Sequence, residues 1–259
     1  MFTNKTVVLT GANGGIGSEI AKQLSAAGVT LVLVGLDEAG LQHLNQLLGG
    51  QHHTVQADIS ISEDRQSIVT FCQHLKDGVD IVINNAGVGQ FCLFEDIDEA
   101  QILNIININL SSTILLTQSL LPLLLTRPTA QIINIGSILG SIGFPGSTVY
   151  CATKFGLRGF TEALRRELMD TKISIRYFAP RATNTTINTD KVVAMNKELG
   201  TEMDSAEQVA VELLLFLKTN KSNQYLGWPE KLFVRVNSVL PGIVDKSLFK
   251  QLPIIKRYL

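Results

Sequence analysis

The stretch Thr6-Val7-Val8-Leu9-Thr10-Gly11-Ala12-Asn13-Gly14-Gly15-Ile16-Gly17 decides how this chain reads. Its apolar start, from Lys5 to Thr10, has the length of a short buried strand, and the helical stretch Ser18–Ala27 follows the glycines. Strand, glycine turn and helix together form an anion site, because backbone N–H groups and the positive helix end can face a pyrophosphate. Gly11, Gly15 and Gly17 take Cβ atoms away where the backbone must come close to such a ligand. The spacing is G-x-x-x-G-x-G rather than the G-x-G-x-x-G dinucleotide fingerprint. Tight strand-to-helix turns also use glycine for geometry alone, so the turn needs support from the rest of the chain.

That support begins with alternation. Thr6–Thr10, Thr30–Val34, His53–Ala57, Asp80–Asn84, Gln131–Gly136 and Ile173–Phe178 read as strands. Helical stretches separate them near 15–27, 38–48, 62–76, 99–126 and 149–169, with Pro122 expected to bend the fourth. Continuous Val/Ile/Leu strand runs mean strands buried on both faces, hence a parallel sheet covered by helices. Right-handed crossovers then give an α/β doubly wound parallel sheet, a Rossmann fold, whose ligands lie outside the carboxyl ends of the strands. Gly11, Asn84, Ser137 and Pro180 all fall at strand ends and would gather at that one rim. The chain shows neither internal repeats nor a convincing interdomain linker. The reading expects one domain over residues 1–228 and a basic amphipathic extension over 229–259.

Tyr150 and Lys154 carry the chemistry. Four residues apart on a helix, phenol and ammonium share a face. A phenol titrates near ~10 in water, and a cation one turn away favours the phenolate. Ser137, thirteen residues upstream, can hydrogen-bond an oxygen on which negative charge develops. Such a set moves a proton while a cofactor moves a hydride. Taken alone, a Tyr/Lys pair also occurs on ordinary amphipathic helices, with Lys solvated and Tyr half buried.

Thr10-Gly11-x-x-x-Gly15-Ile16-Gly17, Asn84-Asn85-Ala86-Gly87, Asn109, Ser137 and Tyr150-x-x-x-Lys154 resemble, in order and spacing, the short-chain dehydrogenase/reductases. The resemblance covers about residues 4–228 and points to the compact single-domain branch acting on alcohols and ketones. It implies a catalytic tetrad of Asn109, Ser137, Tyr150 and Lys154, with Asn109 holding a water that relays protons through Lys154. It also implies that Gly11, Asn13, Gly15, Ile16 and Gly17 bind the dinucleotide, and that Asp58 and Ile59 meet its adenine. Asn85, Ala86 and Gly87 would line the adenine-ribose side, Lys154 would bind ribose hydroxyls beside Tyr150, and Pro180, Thr183 and Thr185 would hold the carboxamide. Asp58 could instead cap a helix. Asn109, among Asn104 and Asn107, could be a helix-bending polar residue.

Cofactor choice turns on the end of the second strand. Asp37 lies 20 residues after Gly17, where an acidic side chain can bind a ribose 2′-hydroxyl and repel a 2′-phosphate. The basic residues that NADP-preferring relatives often carry at the positions of Gly14 or Leu36 are missing here. NAD or NADP remains the reading, with NAD slightly favoured; the alternative for Asp37 is a helix cap. Arg181 departs from the Pro-Gly that many relatives have after the sixth strand, and would face the nicotinamide pocket, a phosphate or solvent.

Composition is consistent with this and bounds it. A chain of 259 residues, 45% of them hydrophobic, can bury one large α/β core. The net charge of −1 offers nothing to nucleic acid. Three cysteines (Cys72, Cys92, Cys151) without metal-like spacing fit a reducing, cytoplasmic compartment and no metal site. Cys151 reads as packing, and His43, His52, His53 and His74 read as surface or loop residues. Met1–Lys5 leads directly into the first strand, so no leader is expected. Leu110–Leu125 is too short and polar to span a bilayer and reads as a buried helix.

Residues 184–205 read as a mobile flap. With apolar Ile138, Leu139, Ile142, Phe144 and Val149 near the tetrad, they favour a lipophilic alcohol or carbonyl as the small-molecule substrate. From Lys231 to Leu259, six basic residues stand against the single acidic Asp245, between apolar residues. Such segments can lie on anionic membranes; packing on the domain or on a second subunit of a homodimer or homotetramer is the alternative. The expected function is NAD(P)-dependent oxidoreduction at a CH–OH group. A non-catalytic dinucleotide sensor or scaffold, a membrane-peripheral lipid-modifying reductase, and a non-redox lyase or isomerase are the rivals.

Overall fold

Val7 and Leu9 point to one side of the first strand, β1 (Thr6–Thr10), and Val8 to the other, and all three are completely buried. A computed structural model describes residues 4–259; Met1–Thr3, where no leader is expected, lie outside the described residues. β1 runs through α1 (Gly15–Ala26) to β2 (Thr30–Gly35), α2 (Glu38–Leu47), β3 (His53–Gln56), α3 (Ser62–Gln73) and β4 (Ile81–Asn84). Then come α4 (Glu99–Ile106), α5 (Ser112–Leu125), β5 (Ala130–Ile135), α6 (Thr148–Glu167) and β6 (Ile173–Ala179). β7 (Thr183–Asn184), α7 (Asp190–Glu198), β8 (Asp204–Ser205), α8 (Ala206–Leu217) and β9 (Asn223–Tyr225) follow, and α9 (Glu230–Val239) and α10 (Pro241–Tyr258) end the chain.

The main sheet has seven strands in the order β3-β2-β1-β4-β5-β6-β9, every pair parallel. The doubly wound expectation is therefore met, with the strand order reversing between β1 and β4. Two buried layers follow from the strand alternation. Leu9, Leu31, Leu33 and Phe178 meet Ile20 and Leu24 of α1 and Val209 and Leu213 of α8 on one face. Val8, Val32, Val82 and Ile132 meet Ile68 of α3 and Leu116, Leu120 and Leu124 of α5 on the other.

Several expectations need correction. The stretch 99–126 is two helices joined by a π-helical turn at Asn107–Ser111. Together they are long and apolar enough to cross a membrane, but α5 packs against α3 and the sheet. β9 escaped the sequence reading because Asn-Gln-Tyr is short, polar and on the sheet edge, where only one neighbour must be matched. His52 is buried rather than on the surface. Its Nδ1 accepts from the Leu31 amide at 3.3 Å and its Nε2 lies 2.8 Å from the Ser25 hydroxyl. Residues 184–205, read as a flap, contain α7 between the strands of a two-stranded parallel ribbon, β7–β8.

A polar ladder crosses the core beneath the rim. The Asn84 amide donates to Thr117 at 3.0 Å and to Asn134 at 2.8 Å, and Asn134 donates to Thr161 at 2.8 Å. Leucine at Asn134 would keep the branched shape but leave one N–H of Asn84 without an acceptor and take from the Thr161 oxygen its donor. Asn134→Leu is expected to lower unfolding free energy by about 2–4 kcal/mol, measured as a fall in urea midpoint at constant m value.

Candidate active site

Gly11 sits at φ +61°, a left-handed conformation that glycine adopts without strain. The turn is tight as well: a Cβ on Gly17 would stand 2.0 Å from the Gly11 carbonyl oxygen. Asn85 holds this turn from the neighbouring strand, its amide donating to the carbonyls of Thr10 at 3.0 Å and Gly11 at 3.1 Å. The Thr10 hydroxyl in return accepts from the amides of Asn85 and Ala86, both at 3.0 Å. α1 begins at Gly14 with no side-chain cap, which leaves its first amides to face a ligand.

Around this turn stand the other expected ligand residues. Asp37 occupies the position before α2 but makes no side-chain cap bond, and its carboxylate is exposed beside Asn13. Asp58 does not cap α3, whose preceding residue is Ile61; one of its oxygens accepts from the Ser60 amide at 2.8 Å. Ile59 is buried, as is Thr183, while Thr185 lies against the turn, its methyl 2.8 Å from where a Cβ on Gly15 would be. Pro180 ends β6 and its carbonyl accepts from Ile138, joining that loop to the one after β5.

The loop after β5 carries Ser137, and the first two turns of α6 carry Tyr150 and Lys154. The Ser137 hydroxyl accepts from the Leu139 amide at 3.1 Å, and it is the group that pulls the Tyr150 phenol downward. Burial outweighs that pull and pushes Tyr150 up to about 12. Lys154, 6% exposed, donates to the Ile135 carbonyl at 3.1 Å, with its nitrogen 5.6 Å from the centre of the Tyr150 ring. Burial lowers this ammonium to about 8. Desolvation thus acts on both groups, and Lys154 is not among the groups that move the phenol.

Asn109 lies in the π-helical turn, where its Oδ1 accepts from the Val88 amide at 2.8 Å. Its Nδ2 donates to the Val88 carbonyl at 2.9 Å and to Thr153 at 3.3 Å. These bonds tie the side chain to Val88 and to Thr153 of α6. Gly87 separates the two groups: a Cβ there would be 3.1 Å from Asn109 Oδ1 and 3.7 Å from Lys154 Nζ.

Two residues were missed or misplaced from sequence. Tyr177 of β6 accepts from the Ser137 amide and donates to the Ser137 carbonyl, each at 3.3 Å, so it positions Ser137 from behind. Only a glycine at 136 admits it, since a Cβ there would meet its ring at 2.1 Å. Nothing in a β-strand tyrosine signals this from sequence. Arg181 is turned away from solvent. It pairs with Asp204 at 2.8 Å, Glu202 at 3.0 Å and Glu230 at 3.5 Å, linking the β7–β8 ribbon to α9.

This geometry can place a dinucleotide along the rim with a phenol, a hydroxyl and a buried ammonium at its far end. The sequence profile described as short chain dehydrogenase matches residues 5–196. The ketoacyl reductase HetN of a Nostoc species is 32% identical over 253 residues, spanning 95% of this chain and 88% of that protein. The 3-oxoacyl-[acyl-carrier-protein] reductase FabG of Haemophilus influenzae is 32% identical over 68% of this chain and 73% of its own length. A solved 3-ketoacyl-(acyl-carrier-protein) reductase from Brucella melitensis, complexed with NADH, aligns with TM-score 0.78 at 26% identity, covering 86% of this chain and 93% of that one. A short-chain dehydrogenase/reductase from Burkholderia phymatum in complex with NAD shares the fold at TM-score 0.83 and 21% identity, covering 92% and 94% of the two chains.

The chain belongs to the short-chain dehydrogenase/reductase family. It is an oxidoreductase of the alcohol–carbonyl type that uses a nicotinamide cofactor. The ribose contact expected of Lys154 needs its ammonium, which burial lowers to about 8, so NADH affinity is expected to fall as pH rises through that value. Fluorescence titrations across pH 6.5–9.5 (range about three units) check this, with Lys154→Met expected to bind weakly and without the inflection.

Proposed function

We propose that this chain interconverts a lipophilic ketone or aldehyde and its alcohol, with Asn109, Ser137, Tyr150 and Lys154 as the working tetrad. The observation that carries the reading is the convergence of Ser137, Tyr150 and Lys154 at the carboxyl rim of the sheet, beside an uncapped glycine turn.

The glycine turn fits a dinucleotide, since its close backbone approach leaves no room for a Cβ at Gly17 and frees the first amides of α1. Gly11, Asn13, Gly15, Ile16 and Gly17 would hold the pyrophosphate, Asp58 and Ile59 the adenine, and Asn85, Ala86 and Gly87 the adjoining ribose. Pro180, Thr183 and Thr185 would meet the nicotinamide end. The free, exposed carboxylate of Asp37 favours a ribose 2′-hydroxyl over a 2′-phosphate, hence NAD over NADP. When bound, the nicotinamide supplies or accepts the hydride.

The residues of the chain handle the proton. A phenol raised to about 12 is fully protonated at neutral pH, so Tyr150 stands ready to donate to a carbonyl oxygen. Ser137 holds that oxygen as charge gathers on it. Lys154 binds ribose hydroxyls and, as a cation, steadies the phenolate left after donation. Asn109 is a positioning residue, fixing the loop that carries Gly87.

Lipophilic substrate chemistry is supported by the surroundings. A cavity of about 520 Å³ lies between the loop before α6 and α10, lined by Phe144, Pro145, Cys151, Leu248, Phe249 and Leu252. A second cavity, of about 400 Å³, is mixed in character, with Val88, Phe91 and Ile97 opposite Asp96, Gln101 and Gln90, whose side chain accepts from the Tyr150 amide. The relatives named ketoacyl reductases offer the chemical precedent of a carbonyl on an acyl chain.

Tyr150→Phe is expected to lower kcat by about 10²–10⁴-fold while NADH binding is retained. Retained turnover, or dinucleotide binding without activity on any ketone or aldehyde in the wild-type chain, would overturn the reading. Parallel fluorescence titrations with NADH and NADPH are expected to show tighter NADH binding, with the preference reduced in Asp37→Ser.

A further inference from the structure

The last two helices present two unlike faces. Inward, Val234 of α9 and Val244 of α10 are buried against Ile138 and Ile142. The Asn237 amide donates to the Ser141 carbonyl at 2.8 Å, and Arg257 and Tyr258 bond Glu198 of α7. The extension is thereby fastened to the domain.

Outward, the corner between the helices is apolar. Val239, Leu240 and Ile243 are 77%, 56% and 52% exposed, and Leu232, two turns before Val239 on α9, is exposed as well. Lys231, Arg235, Lys246 and Lys250 are all exposed and form no ion pair among the described residues. Asp245 is the single acidic residue from Lys231 to Leu259, and Glu230, just before that stretch, pairs with Arg181. A contiguous apolar projection flanked by unpaired cations is costly to leave in water.

We propose that the α9–α10 corner docks the protein on an anionic phospholipid surface, with Val239, Leu240 and Ile243 entering the headgroup boundary and the four basic residues meeting lipid phosphates. The charge selects this occupant over a second copy of the chain. A two-fold contact through the same patch would bring each set of cations against the partner's set. Neither helix is an uninterrupted apolar span: α10 carries Asp245, Lys246, Lys250, Lys256 and Arg257, so the helices lie on the surface rather than cross it. The docking surface belongs to the extension and is independent of the reaction assigned to the rim.

The test uses the purified full chain and sedimentation with vesicles of phosphatidylcholine alone or mixed with phosphatidylglycerol. Binding to the mixed vesicles at low salt, absent with phosphatidylcholine and weakened by added salt, is expected. Val239→Ser with Ile243→Ser, and separately Lys246→Glu with Lys250→Glu, are each expected to weaken partitioning by at least about tenfold. NADH titration of both variants serves as the control for folding and is expected to match wild type. No binding to anionic vesicles at low salt would overturn the proposal, as would binding that both variants leave intact. A dimer seen by sedimentation velocity and abolished by Lys246→Glu with Lys250→Glu, without vesicle binding, would assign the face to a second copy instead.

Discussion

Thr10 and Asn85 hold each other across the point where the strand order reverses. The hydroxyl of Thr10 takes the amides of Asn85 and Ala86, while the side-chain amide of Asn85 takes the carbonyls of Thr10 and Gly11. Four hydrogen bonds thus join the ends of β1 and β4, and every other part of the rim is placed relative to that joint. Gly17 can approach the Gly11 carbonyl because the turn is pinned there, and α1 can begin uncapped because its amides face the opening. Below the joint, the Asn84–Asn134–Thr161 ladder carries the same constraint into β5 and α6, the elements that deliver Ser137 and Tyr150.

Burial acts on the two titrating groups in opposite directions. Moving phenol and ammonium out of water disfavours the charged form of each, so Tyr150 rises and Lys154 falls. The site therefore rests as a neutral acid beside a weakened base. Ser137 works against the trend on Tyr150 and is itself braced by the hydroxyl of Tyr177. A phenol and an ammonium held beside one hydroxyl are thus set by how much water each has lost, and not by their spacing alone.

The regions beyond the Rossmann core are fastened to it by charge. Arg181 gathers Glu202, Asp204 and Glu230, so the β7–β8 ribbon and the first turn of α9 share one cation. Glu198 receives Arg257 and Tyr258, joining α7 to the end of α10. Residues 184–205 and the last two helices are thus coupled to each other at two points.

The sequence alone determined the doubly wound sheet, since unbroken runs such as Val7-Val8-Leu9 and Leu31-Val32-Leu33-Val34 bury both faces only between two helical layers. It also determined the glycine turn, because Gly11 and Gly17 stand where no other residue fits, and the placing of Tyr150 and Lys154 on one helix face, which period alone dictates. Tertiary structure decided what depends on partners distant in the chain. β9 exists because β6 offers an edge, Arg181 is paired because Glu202, Asp204 and Glu230 converge on it, and Asn109 is occupied because Val88 lies within its reach. The protonation of Tyr150 and Lys154 belongs to the same class. Spacing brings the charges together, but how much water each loses is set by the packed protein around them.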